Sequence, residues 1–193
     1  MSPPRRPSTP PRSLSSARRY FEDALAIAKT LAEREPGRAD LQRDLSVSYI
    51  NLGDLHKALG DGVNARRYFE DALAIAKTLA EREPANQQAQ GDLAISFKRI
   101  ATVDRLNART WVLRAIGIHR ARRAQDATSA VVARELAISL LQLFNASRET
   151  DQPEAMRALA ESYEILRDLF ARGALEAQYH ALVAQLAGII DPA

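Results

Sequence analysis

The chain contains the same stretch of twenty residues twice. ARRYFEDALAIAKTLAEREP runs from Ala17 to Pro36 and again, unchanged, from Ala65 to Pro84, an offset of 48 residues. A shorter pattern, an acidic residue and Leu followed by a β-branched residue and Ser, begins the segments 44–54, 92–102 and 135–145. Self-similarity with a period of about 20–50 residues is typical of solenoids, in which supersecondary units stack on their neighbours. We therefore expect a repeat fold that presents a binding surface.

The composition indicates a folded, helical protein. Hydrophobic residues make up 46% of the 193 residues, and Ala, Leu, Arg, Glu and Gln, all good helix formers, are frequent. Cysteine is absent, which excludes disulfides and thiolate metal sites and favours a reducing compartment. No apolar run approaches the length of a membrane span, and no secretory signal is visible. We predict a soluble cytoplasmic protein.

Positive charge is concentrated at the amino end. The chain carries 27 Lys and Arg against 24 Asp and Glu, but five of the arginines lie in residues 1–19, which contain no acid. Residues 1–16, rich in Pro, Arg and Ser, are predicted to be a disordered head with polyproline II character. The spacing of Pro7, Pro10 and Arg12 fits a ligand for a polyproline-binding groove, but a solvated tail in which this spacing arises by chance is the favoured interpretation.

The remainder of the chain reads as helical throughout. Apolar residues recur at steps of three and four, and Pro36 and Pro84 each follow the end of a helix. Gly60-Asp61-Gly62 predicts a tight turn, with Asn64 as the N-cap of the next helix. Eight helices are expected, at 17–35, 39–59, 64–83, 87–104, 107–125, 128–147, 153–171 and 174–189.

One segment resembles a known family. The residues that carry the likeness are an aromatic, Leu-Gly, a turn Gly, and then Ala-x3-aromatic-x2-Ala: Tyr49, Leu52, Gly53, Gly60, Ala65, Phe69 and Ala72. This spacing resembles the tetratricopeptide signature, in the long, roughly 48-residue form of bacterial arrays. The resemblance implies an all-α, right-handed superhelical stack of antiparallel helix pairs. The repeat array would cover 17–171, and 172–193 would form a C-terminal capping helix and tail.

The resemblance also implies a function and a site. Tetratricopeptide arrays are scaffolds for protein–protein interaction, and the first helix of each pair lines a concave groove. Carried over to this chain, the groove positions for a partner protein or peptide are Asn51, Asp54, Lys98, Arg99, Thr102, Gln142 and Asn145. The family's Lys/Asn clamp for C-terminal carboxylates is not reproduced, because Ile50 and Asp54 stand at those positions. Lys98 and Arg99 favour an acidic partner.

A second set of basic residues is concentrated in the helix of 107–125. Its members are Arg109, His119, Arg120, Arg122 and Arg123. His119 and Arg122 occupy positions that are apolar in the preceding repeat, so we expect them to be exposed, paired with carboxylates, or part of a site. Three interpretations stay open: side chains that reach solvent along the helix, an anionic ligand or acidic partner, and nucleic acid. If Arg122 is exposed or paired, Arg122→Leu should be neutral or stabilising, and a loss above about 2 kcal/mol would indicate a buried ion pair.

No pattern points to catalysis. His56, His119 and His180 are far apart in the sequence, and no phosphate-binding loop or nucleophile motif is present. The adjacent acids at 22–23 and 70–71 point about 100° apart on a helix, so neither pair converges on a substrate. We expect a protein that is not an enzyme and needs no metal or cofactor.

The first predicted helix lacks the partner helix that precedes its identical copy. We expect Phe21, Ala24, Ala28 and Leu31 to form an uncovered apolar face. Such a face predicts a homo-oligomer, packing against another partner, or fraying. The alternative to a groove-binding scaffold is therefore a self-associating structural module or a fragment of a longer multidomain signalling protein.

Overall fold

A computed structural model describes residues 12–190, which contain eight α-helices and one 3-10 turn and no strand. Residues 1–11 of the predicted disordered head and 191–193 of the predicted tail lie outside the described part. The helices are α1 (Arg12–Arg34), α2 (Ala39–Ala58), α3 (Gly62–Arg82), α4 (Gln87–Ala101), α5 (Ala108–Gln125), α6 (Ala130–Ser147), α7 (Gln152–Ala171) and α8 (His180–Ile190), with the 3-10 turn at Ala177–Tyr179.

Every predicted helix is present, and most ends agree within two residues. α1 begins at Arg12, five residues before the predicted start, and α4 ends at Ala101 instead of 104. The predicted helix at 174–189 begins only at His180, after the 3-10 turn. Gly173 has a positive φ of 66° and closes α7 by donating its N–H to the Phe170 carbonyl, so the chain must leave the helical path before α8.

The turn between α2 and α3 corrects one prediction. Gly60, at φ 77°, closes α2, and the Asp61 N–H donates to the His56 carbonyl at 2.9 Å. Asp61, and not Asn64, caps α3: its carboxylate accepts the Asn64 backbone N–H at 3.1 Å and the Asn64 side-chain amide at 2.6 Å. These bonds, and a contact with His56, lower the pKa of Asp61 to about 2. Asp61 takes this role because α3 begins at Gly62, which makes residue 61 the N-cap position.

The described chain forms two compact units, the first ending at Ile75 and the second beginning at Ala76. In the first unit α1 packs on α2 through a small core of Ala28, Ala32 and Leu45, joined by Leu25 and Tyr49. Small residues at 28 and 32 let the two helices approach closely.

In the second unit each helix from α4 to α8 packs on the next one along the chain. The core is built from fully buried leucines on α6 and α7, among them Leu136, Leu140, Leu159 and Leu166. At its α4–α5 end the Phe97 and Trp111 rings stack with centroids 5.8 Å apart. This unit therefore supplies the rigid helices on which the predicted groove residues of α4 and α6 stand.

Candidate functional site

The predicted groove residues of the second unit lie on two helices. Lys98 and Arg99 are in the last turn of α4, Thr102 is its C-cap, and Gln142 and Asn145 are near the end of α6. All are half-buried except Asn145, which is exposed. The half-buried members are therefore shielded by neighbouring elements without being fully covered.

Three of these residues line one pocket. An open pocket of about 230 Å³ has walls of Ala101, Thr102, Ala108, Val112, Gln142, Asn145 and Ala146. Its walls are mostly apolar, with amide groups from Gln142 and Asn145. The Oε1 atom of Gln142 is buried and accepts no hydrogen bond from any described residue. A buried acceptor without a donor costs free energy, so this pocket suits a ligand group that is apolar and carries an N–H or O–H.

Lys98 is the centre of a cationic group. Burial lowers the pKa of Lys98, and the nearby guanidinium groups of Arg99, Arg134 and Arg122 lower it further, opposed by Glu135. Within residues 12–190 its ammonium group forms no ion pair. A shielded ammonium group among other cations is stabilised by a nearby anion.

Arg122 has a defined carboxylate partner. Its Nη1 lies 2.7 Å from Glu135 Oε2, and the two side chains are only 12% and 20% exposed. The Nε atom donates to Gln87 Oε1 at 3.2 Å. Gly91 makes room for the guanidinium group, since a Cβ there would lie 3.0 Å from Nη1. Of the three alternatives for Arg122, exposed, paired with a carboxylate or part of a site, this geometry corresponds to the second, and the pair is mostly buried.

His119 lies beside this pair and is fully buried. Its Nδ1 is 3.6 Å from Glu135 Oε2, too far for a hydrogen bond, and neither ring nitrogen has a hydrogen-bond partner among the described residues. Burial, together with Lys98 and Arg122, lowers the pKa of His119 to about 3. The ring is therefore neutral at physiological pH.

The remaining members of the predicted basic set do not join Lys98. Arg109 forms two hydrogen bonds of 2.6 Å to Glu154 on α7. Arg120 is 2.7 Å from Glu161, also on α7. Arg123 is half-buried near the end of α5. The structure therefore distributes this set over several ion pairs between helices instead of forming one free basic surface.

The other predicted positions lie in the first unit. Asn51 is exposed and Asp54 half-buried on α2. On α1, Phe21 and Ala24 are half-buried and Leu31 is 40% exposed. Ala28, predicted to lie on the open face of this helix, is only 9% exposed, because it faces α2 and packs against Leu45.

Two functional residues were missed by the sequence reasoning. Glu135 pairs with Arg122, and Arg134 adds to the charge around Lys98 while pairing with Glu176. A signal for Glu135 was present, because it is the acidic residue that opens the third copy of the repeated pattern. Arg134 had no such signal, since the earlier copies place Arg43 and Gly91 before that acid.

The described part offers no site of two further kinds. Across residues 12–190 no cluster of three or more His, Asp or Glu side chains could hold a metal ion. No helix in this range is long and apolar enough to cross a membrane.

Part of the chain matches a known protein family. The sequence model of the tetratricopeptide repeat matches residues 45–85. No curated protein sequence matches the chain closely enough to identify a relative. The helices of the described part and this match define an all-α, tetratricopeptide-like helical solenoid, a class that generally mediates protein–protein interaction. The finer assignment to the long bacterial repeat type stays a prediction.

Proposed function

We propose that this protein is an interaction scaffold that binds an acidic segment of a partner protein along α4 and α6 of the second unit. The observation that carries the proposal is Lys98: a half-buried ammonium group at a predicted groove position, with no ion pair to the described residues. Removing such a charge from water is unfavourable unless an anion compensates it. A carboxylate of the partner supplies that compensation.

The pocket defines a second feature of the partner. Thr102, on its wall, follows Lys98 by four residues, one helical turn or about 6 Å along α4. In an extended segment, residues i and i+2 lie on the same side and are about 6.5 Å apart. When an acidic residue of the partner contacts Lys98, the partner residue two positions away therefore lies at the pocket. An apolar side chain is favoured there. The favoured partner sequence is acidic-x-apolar, in either chain direction.

Nucleic acid is disfavoured by the ion pairs of α5. Arg109, Arg120 and Arg122 each contact a glutamate, so their charges are already compensated within the protein. A phosphate backbone requires several uncompensated cations along one surface.

The test uses short labelled peptides. Heptapeptides of Gly and Ser that contain Asp-x-Leu are titrated with the full chain by fluorescence anisotropy, beside matched peptides with Lys-x-Leu and Asp-x-Ser. We expect Asp-x-Leu to bind most tightly. Changing Lys98→Glu and Arg99→Glu together should weaken its binding by about 1–3 kcal/mol, roughly 5- to 150-fold. Lys77→Glu, a change at an exposed lysine on α3, is the matched control and should leave binding unchanged.

A third variant separates the pocket from the charge. Ala146→Leu adds side-chain volume to the pocket wall and should weaken Asp-x-Leu while leaving Asp-x-Ser unaffected. Circular dichroism checks that each variant keeps its helices. Equal binding of all three peptides, or undiminished affinity in the Lys98→Glu, Arg99→Glu variant, would move the binding surface elsewhere.

A further inference from the structure

The duplicated block shows the same sequence in two different surroundings. In its second occurrence Phe69 and Ala72 are fully buried. In its first occurrence the equivalent Phe21 and Ala24 are only half-buried, and Tyr20 is 70% exposed where Tyr68 is half-buried. Since the residues are identical, the difference lies entirely in what packs against them.

The cover in the second occurrence is α2. Gly53 lies directly under the Phe69 ring, so closely that a Cβ at position 53 would overlap it. Ser46 Oγ donates a hydrogen bond of 3.2 Å to the Ala72 carbonyl. Farther along α2, the His56 ring lies 5.3 Å from that of Tyr68. The residues shown to cover this face are thus Ser46, Gly53 and His56, together with Tyr49, whose ring lies 6.2 Å from that of Tyr68.

α1 contacts α2 through the C-terminal part of its apolar stripe. Its Ala28 and Ala32 pack against Leu45 of α2, with Leu25 and Tyr49 at the margin. The N-terminal part of this stripe, formed by Tyr20, Phe21 and Ala24, which we name the α1 face, is only partly covered within the described residues. The identical sequence in α3 is covered by α2. The residues of α2 that cover it therefore indicate which kind of partner fits the α1 face.

We propose that the α1 face binds an amphipathic helix with the sequence pattern of α2. The glycine of that helix lies against Phe21, as Gly53 lies against Phe69, and its serine reaches the Ala24 carbonyl. This occupant is defined by the residues that cover the identical sequence at Ala65–Ile75. The proposal is independent of the acidic-segment site, which lies on the other unit.

The glycine is the specificity element of this interaction. A side chain at that position would occupy the space of the Phe21 ring, so ordinary amphipathic helices that lack a glycine there are excluded. The serine adds a polar requirement two helical turns away on the same face of the docked helix. Together they make the α1 face selective for helices of the repeat type.

The experiment uses the full chain and a synthetic peptide of residues 39–60, acetylated and amidated to support helix formation. Saturable binding is expected by fluorescence anisotropy. Phe21→Ser in the chain should weaken it at least about tenfold, since burial of a Phe side chain is lost. A peptide with Gly53→Leu leaves the chain untouched and should lose binding to the same degree, so a folding defect of the Phe21→Ser chain cannot explain the result.

The absence of cysteine provides a check on the position of the docked peptide. A chain with Ala24→Cys and a peptide with Ser46→Cys should form a disulfide under mild oxidation, whereas the same peptide with an Ala72→Cys chain should not, because α2 covers that position. Absence of saturable binding, binding that survives Phe21→Ser, or cross-linking that favours position 72 would each overturn the proposal.

Discussion

Gly53 and Phe69 are in direct contact, and the ring fills the space in which a Cβ at position 53 would lie. Phe69 is completely buried, so the ring has no free volume into which to move. The glycine therefore sets the distance between α2 and α3 at this point. In an exposed helix Gly→Ala is stabilising by about 0.5–1 kcal/mol, so any loss on substitution measures the steric conflict.

Gly53→Ala should lower the free energy of unfolding by about 1–3 kcal/mol, the usual effect of an overpacked core. The measurement is chemical denaturation followed by circular dichroism. Gly117→Ala is the matched control: that glycine lies inside α5 with no atom within 4 Å of its added Cβ, and the substitution should be stabilising. Equal effects at both positions would contradict the close contact.

Arg122→Leu should be destabilising, because it leaves Glu135 mostly buried without its guanidinium partner. Breaking a buried pair from one side costs about 3 kcal/mol or more. From the sequence we expected Arg122→Leu to be neutral or stabilising if Arg122 is exposed or paired. The burial of the Arg122–Glu135 pair reverses that expectation. The double variant Arg122→Leu, Glu135→Leu should recover most of the loss, since neither charge then remains. Additive losses in the double variant would show that the two side chains do not interact.

Acid should destabilise the fold through His119. The pKa of this buried ring is lowered from 6.5 to about 3, so below pH 6.5 the unfolded chain takes up a proton that the folded chain does not. Stability is then fully present above pH 6.5 and falls by up to about 1.4 kcal/mol per pH unit as the pH drops towards 3.

The variant His119→Leu removes this contribution. Denaturation at pH 7 and pH 5 should show that the original chain loses about 2 kcal/mol more than the variant between the two values. His180→Leu, a change at an exposed ring, is the control and should keep the pH dependence of the original chain. The same pH dependence in all three proteins would exclude His119 as its source.

Phe21 and Phe69 form a matched pair within one chain, since each stands at the same position of the identical block. Phe69→Ala should cost about 3–5 kcal/mol, the usual effect of emptying a buried aromatic site. Phe21→Ala should cost markedly less, because its ring is already half in solvent. If both substitutions lower the free energy of unfolding by the same amount in chemical denaturation, the α1 face is covered in solution.

The sequence allowed most of the fold to be predicted, because helix ends depend on neighbouring residues. Gly60 and Pro84 mark ends that the structure confirms, and the turn at 60–62 was placed correctly. The cap was assigned to Asn64 instead of Asp61 because both residue types suit that position and only the backbone path distinguishes them.

The site was less predictable, because it depends on pairs distant in the chain. The sequence shows that His119 and Arg122 replace apolar residues, but the partner Glu135 is thirteen residues beyond Arg122 on another helix. The burial of Ala28 has a similar origin: a single helix shows an apolar stripe, and only its packing on α2 decides which edge of that stripe is covered.

The duplicated block also allows the effect of tertiary packing on amide exchange to be measured by comparing two identical helices in one protein. Intrinsic amide-exchange rates depend on local sequence, so they are the same at corresponding positions inside Ala17–Pro36 and Ala65–Pro84. Any difference in protection between the two helices therefore reports tertiary packing alone, free of the propensity corrections that such comparisons normally need. Fragments from inside the blocks have identical masses, so the comparison requires resonance assignments or fragments that extend past Pro36 and Pro84.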